Sequence, residues 1–143
     1  MAGPTEAVFE MAAFFASLFA FGWRPGAPFP SGVALAASSG AAFAVVVLAQ
    51  TANAFACRSS TLPLWRIGWF TNRMLVLGSS IELMLAGAFL LWPVLGEPLE
   101  HRPPPGIGWA LAVASMPALL LIDASFKRHA RGRDAVAEQV RIR

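Results

Sequence analysis

Four apolar runs, each about as long as a bilayer is thick, constrain this chain more than any other feature. They cover about 7–23, 33–56, 74–95 and 107–126. A hydrocarbon core of roughly 30 Å takes about 20 helical residues, with a range of about 17–25, and the first run only just qualifies. Lipid offers no partner to a free backbone N–H or C=O, so continuous runs of this length predict helices. A membrane β-barrel would alternate apolar and polar residues, and these runs do not. Composition agrees: 57% of the residues are hydrophobic, 13% are charged and the mean hydropathy is +0.60. That balance is too apolar for an ordinary soluble domain. The expected fold class is an all-α membrane protein, a bundle of four transmembrane helices. The stretches "RPGAPFPSG" (24–32) and "GEPLEHRPPPG" (96–106) are dense in Pro and Gly, which stop helices, and read as loops.

Lys and Arg counts set the expected orientation. The loop between the second and third runs carries Arg58, Arg66 and Arg73 with no acid. The tail carries Lys127, Arg128, Arg131, Arg133, Arg141 and Arg143, whereas the other two loops hold only Arg24 and Arg102. An even number of spans then puts both termini in the cytoplasm. The expected organisation is a membrane domain over 1–126 and a basic cytoplasmic tail over 127–143, a frayed helix or a disordered segment at the lipid surface. The net charge of +3 lies beside apolar runs and is no sign of nucleic-acid binding. The start "MAGPTEAVFE" carries Glu6 and Glu10 without a basic leading region, so it does not read as a signal peptide. The single cysteine, Cys57, permits no internal disulfide and leaves the redox compartment unread.

Polar residues inside the runs are the functional candidates, because lipid makes them expensive. They are Glu10, Gln50, Asn53, Glu82 and Asp123. Gln50 lies about 9 Å, and Glu82 about 12 Å, from the cytoplasmic ends of their segments at ~1.5 Å per residue. Gln50 and Asn53 share a face through their i, i+3 spacing, and Cys57 continues it. The expectation is a cluster of Gln50, Asn53 and Glu82 in the cytoplasmic half of the membrane. For the two amides alone, helix–helix adhesion and an ion path are both open, since interhelical amides add only about 0.6–2 kcal/mol. Glu82 favours function, because a carboxyl there must be paired, hydrated or protonated. Glu10 and Asp123 lie near run ends and read as interfacial.

The remaining features read as packing. Ala36, Gly40 and Ala44 make a small-residue row that suits close helix contact. Pro117 is placed to kink the fourth helix. Trp23, Trp92 and Trp109 at one side, with Trp65 and Trp69 at the other, read as an aromatic belt. Cys57 reads as an inert small residue, and His101 and His129 lack metal-ligand spacing. The chain has no Gly-rich phosphate loop, no DKTGT-type or TGDGxND-type sequence and no nucleophile with a partnered base, so no catalytic or cofactor-binding residue is assigned.

The stretches "AQTANAFACRSS" (49–60) and "LWRIGWFTNRMLVLGSSIELMLAGAFLLWPVL" (64–95), followed by a Pro/Gly loop and a last short span, resemble the C-terminal membrane region of P-type cation-transporting ATPases. The similarity is to bacterial members of the calcium/sodium-pump-like branch and covers about residues 5–130. A family pattern like N-x-x-x-C-R-S stands here as Asn53, Cys57, Arg58 and Ser59. One like F-R-I-G-x-F-S-N-R stands as Trp65, Arg66, Ile67, Gly68, Trp69, Phe70, Thr71, Asn72 and Arg73. The resemblance implies that the four runs are the seventh to tenth helices of a ten-helix pump, with the eighth–ninth loop and the C-terminus cytoplasmic. It implies a multi-pass protein of the bacterial plasma membrane. It also implies that Gln50, Asn53 and Glu82 match positions that line an ion site or side pathway in some pumps. Neither helix-eight position is a carboxylate here, so that part of the site would be neutral.

The resemblance further implies that the main ion ligands, on the fourth to sixth helices, and the nucleotide, phosphorylation and actuator domains lie outside this sequence. The expected role is the C-terminal membrane module of such a pump: a truncated or split product, or an excised domain. It would brace the ion-binding helices, and it would not be an enzyme alone. No cofactor is expected in this chain, and a monovalent or divalent cation would be handled through the complete pump. Its partners would be the lipid bilayer and the remaining pump helices and domains, in cis or as a separate chain. Two alternatives stand beside this reading. One is a small proton-coupled four-helix transporter with Glu10 as its essential acid; the other is an accessory membrane subunit.

Overall fold

The computed structural model describes residues 2–141, and the side chains of residues 3–132. It is helical throughout its elements: α1 (Ala2–Ala20), α2 (Val33–Ala56), α3 (Leu64–Ile67), α4 (Arg73–Leu91), α5 (Pro93–Gly96) and α6 (Gly106–Arg141), with a 3₁₀ turn at Glu97–Leu99. No strand occurs among the described residues. Three helices are long and apolar enough to cross a membrane: α2, α4 and the Gly106–Gly132 part of α6. The first helix, carrying Glu6 and Glu10, is not among them.

Local chemistry explains the boundaries. The first helix begins earlier than the run at 7–23 suggested and stops at Ala20. Its end is a left-handed glycine cap: Gly22 has φ 88°, its N–H donates to Phe19 O at 3.0 Å, and the Trp23 N–H donates to Leu18 O at 3.1 Å. That paired pattern satisfies carbonyls the helix leaves free. The second helix covers Val33–Ala56, the range the apolar run indicates. The third run was expected to reach 95, but α4 ends at Leu91 because Trp92 precedes Pro93. A proline ring pushes the preceding residue out of the helical region, and Trp92 sits at φ −103°, ψ 108°. The fourth helix does not stop at 126. It runs without interruption through Pro117 and on to Arg141, 36 residues or about 54 Å. Residues 127–141 of the expected tail are therefore helical, and residues 142 and 143 lie outside the described residues.

The three helices α1, α2 and α6 pack on one another around Ala13, Ala41, Ala44, Val45 and Ala112, with Leu90 of α4 closing the cluster. Alanines at the contact let backbones approach closely, which is how helices gain dispersion energy where lipid is as apolar as the core. Gly108 of α6 lets these helices come close: a Cβ there would lie 2.8 Å from the Ala41 side chain and 2.9 Å from Ser17 Oγ. Trp109, expected in the interfacial belt, packs against this cluster instead. By contrast α4 lies at the edge, against α2, with only Ser79, Ala86 and Leu90 buried.

The Ala36–Gly40–Ala44 row serves a loop as well as the helices expected of it. Ala44 does face the helix core, but Ala36 and Gly40 receive the 97–105 loop. The Arg102 N–H donates to Ala36 O at 3.1 Å, and a Cβ on Gly40 would fall 2.1 Å from the Arg102 carbonyl oxygen. The row thus admits a loop backbone at Ala36 and Gly40 as well as neighbouring helices at Ala44.

Candidate functional site

Position along α2 decides where each polar side chain goes. Successive helical residues are separated by about 100°, so Thr51 leaves the helix well away from Gln50, while Gln50 and Asn53 lie about 60° apart. The Gln50 side-chain amide donates toward Glu6 of α1, with Nε2 at 3.0 and 3.1 Å from the two carboxylate oxygens. Thr51 Oγ1 donates to Glu82 Oε2 of α4 at 3.3 Å. Asn53 Oδ1 accepts from Cys57 Sγ at 3.6 Å, and Asn53 lines a cavity of about 380 Å³ with Cys57, Asp123 and Lys127. Gln50, Asn53 and Glu82 therefore meet three different partners, and no hydrogen bond among the described residues joins any two of them. Gln50 and Glu82 are exposed, Asn53 half-buried and Thr51 buried. Among the described residues no three His, Cys, Asp or Glu side chains come together as a metal cluster.

Glu82 is the least ordinary of these groups. It is the tenth residue of a 19-residue apolar helix, and it is exposed on the outside of the bundle with Thr51 as its hydrogen-bond partner. Its neighbours Ile81, Leu83, Met84 and Leu85 are exposed as well. A carboxylate at that depth is costly against lipid, so its surroundings must supply water, protein or a proton.

The end of the bundle beyond α2 is built by the two stretches that carry the sequence resemblance. Cys57 caps α2, its N–H donating to Asn53 O. Arg58 then reaches across the loop. Its Nη1 donates to Gly68 O at 2.8 Å, and its Nη2 donates to Thr71 Oγ1. Gly68 holds φ 88°, a conformation that L side chains rarely adopt, and so turns its carbonyl toward the guanidinium. Ser59 Oγ accepts from Leu62 N at 2.9 Å and Thr61 N at 3.2 Å, a side-chain turn that starts the loop. Asn72 caps α4, accepting from Leu75 N at 3.1 Å. The two motifs are thus halves of one connection between α2 and α4.

Lys127, counted in the sequence only as tail charge, closes the same end. It is 7% exposed. Its ammonium donates to Ala56 O of α2 at 2.8 Å and pairs with Asp123. A cation at a helix C-terminus meets the free carbonyls and the negative end of the dipole. Asp123, read as interfacial, pairs with this lysine beside the C-terminus of α2. The i, i+4 spacing of Asp123 and Lys127 was the available sequence signal. Glu6 was overlooked in the same way, although Glu6 and Glu10 are also four apart on one helix face.

Glu10 itself departs from expectation. Because α1 starts at Ala2, Glu10 is its ninth residue and lies mid-helix, not near an end. It lines a cavity of about 450 Å³ with Phe43 and His101. Comparison with known proteins gave no match among curated proteins or solved structures. The family model described as "Cation transporting ATPase, C-terminus" matches residues 1–129. With that match over most of the chain and the two loop motifs joined through Arg58, the protein belongs to the family of cation-transporting ATPase C-terminal membrane regions.

Proposed function

We propose that this chain serves as the C-terminal membrane module of a P-type cation pump, bracing the ion-binding helices and lining part of the ion path. The observation that carries the reading is the exposed Glu82 in the middle of an apolar helix. In isolation that carboxylate faces the medium; in a complete pump the missing helices cover it. The exposed Gln50, held by Glu6, offers a second polar point at the bundle surface. The ion path then runs along Glu82 and Thr51, with Gln50 and Asn53 as neutral groups on neighbouring faces of α2. In this reading α1 is the fourth span, stabilised by packing on α2 and α6, and both termini lie in the cytoplasm of a bacterial cell. Nucleotide chemistry belongs to the rest of the pump, and the chain alone transfers no phosphate.

The test is made in the full-length pump, or in this chain co-expressed with the pump core. Replacing Glu82 by Gln keeps the shape and removes the charge. The expected result is a several-fold weaker apparent affinity for the transported cation in ATPase assays, with assembly intact. An unchanged affinity would reduce the module to a brace. The native size in source membranes, read with an antibody to "HARGRDAVAEQVRIR", separates a covalently joined pump from a separate 15.2 kDa chain.

A further inference from the structure

The outer side of the α1–α2 contact is an open groove with an acidic row and no counter-ion. Glu6, Glu10 and Phe14 follow one another on α1 at i, i+4 and i+8, and so share a face. Ser39, Phe43, Val46 and Gln50 face them from α2. The Gln50–Glu6 hydrogen bond joins the two faces at one end, and His101, edge-on against Phe43, borders the other. Between them lies a hollow of about 450 Å³, lined by Glu10, Phe14, Ser39 and Phe43 among others. None of these residues is fully buried, so the hollow opens outward from the bundle.

Glu10 lies ten residues before the end of α1, and Phe43 is the eleventh residue of α2. At ~1.5 Å per residue both sit roughly 15 Å from the loop-bearing ends of their helices, near the middle of a bilayer core of about 30 Å. Glu10 makes no side-chain hydrogen bond or ion pair among the described residues. Neither α1 nor α2 contains a Lys or an Arg. The cations at the helix ends are engaged elsewhere: Arg24 with the carbonyls of Phe19 and Trp23, Arg102 with Glu97, and Lys127 with Asp123. Glu6 is met by a neutral amide alone. A carboxylate at mid-membrane depth is costly unless a partner of opposite charge meets it.

We propose that this groove seats a membrane-spanning partner helix whose central Lys or Arg pairs with Glu10. The apolar flanks of that helix lie against Phe14, Phe43 and Val46, and the small Ser39 and Ala42 side chains let its backbone approach. A second copy of this chain does not fit, because a two-fold contact through this face sets Glu10 against its own copy. A lipid tail covers the apolar wall but leaves the carboxylate without a cation. The inference rests on α1 being the fourth span. It concerns a different face from Glu82, which lies on α4 beside Thr51.

The experiment uses the full chain in phosphatidylcholine proteoliposomes, with Glu82→Gln so that the carboxyl on α4 does not compete. The probe is a synthetic apolar peptide of about 21 residues, long enough to span, with one Lys at its centre. Its control carries Leu there. Association is read as energy transfer from a dye on the exposed Cys57 to one on the peptide. The Lys peptide should associate several-fold more tightly than the Leu peptide, and Glu10→Gln, which keeps the shape, should abolish the difference. Equal association of the two peptides, or a Lys preference that survives Glu10→Gln, would overturn the proposal and leave the groove to lipid. Depth is read separately, from a nitroxide at Ala12→Cys in a Cys57→Ser chain. Accessibility to oxygen and not to a nickel chelate is expected of a mid-membrane position. A label open to the chelate would overturn the four-span reading together with the proposal, whereas a deep label without a Lys preference would overturn the proposal alone.

Discussion

A single guanidinium joins the two stretches of sequence that look most alike to known pumps. Arg58 bonds to a backbone carbonyl and a hydroxyl across the α2–α4 connection. Charged hydrogen bonds of this kind are worth about 1.5–3 kcal/mol when buried, and less at this half-exposed position. Arg58→Ala should therefore lower stability by roughly 1 kcal/mol and open the 59–72 loop, read as faster proteolysis there while the helices persist. Lys127 is more deeply placed. Lys127→Ala strips the Ala56 carbonyl of its donor and leaves Asp123 unpaired, at a cost of roughly 2 kcal/mol. Thermal unfolding in detergent should show a clear fall in Tm, and a Tm equal to wild type would mean that water replaces the ammonium without loss.

At the scale of elements, the informative contact is between a helix and a loop. Gly40 was readable as a helix-packing residue, but its missing side chain admits Arg102 of the loop. Gly40→Ala puts a methyl within 2.1 Å of a carbonyl oxygen, so the loop must move. Overpacking of this order costs about 1–3 kcal/mol. The expected readout is faster hydrogen exchange at the Arg102 amide, with exchange in α2 unchanged. Slow exchange at Arg102 in that variant would show that the loop is held by something other than its seat on Ala36 and Gly40. Helix ends, in contrast, follow from local rules: Gly22 caps α1, Asn72 caps α4 and Pro93 stops it.

For the whole molecule, the division of burial is uneven. The share of the apolar window inside the bundle is 44% for α2 but 17% for α4. Few buried contacts mean a low free energy of local opening. In detergent, α4 amides should exchange before those of α2, and association with a pump core should slow them. Equal protection of α2 and α4 in the free chain would contradict the peripheral placement of α4. The exposed Val8, Met74, Met84, Leu91 and Leu121 fit the same picture, since each must meet lipid or further helices.

Much of this was legible in the chain itself. Continuous apolar runs dictate helices, because lipid leaves the backbone no other partner, and Pro and Gly mark where they stop. The α2 limits, the loop regions and the pump-like motifs all follow from such local or linear signals. The partners of polar side chains do not. Gln50, Asn53 and Glu82 looked like one cluster because spacing along a helix fixes a face but not what stands opposite it. Which helix covers which face is decided by the close approach of α1, α2 and α6 through Ala13, Ala41, Gly108 and Ala112. That packing turns Gln50 to Glu6, Thr51 to Glu82 and Lys127 to Ala56, and it lets a surface loop bring His101 against Phe43. Such pairings join residues far apart in sequence, and only the tertiary arrangement fixes the distances between them.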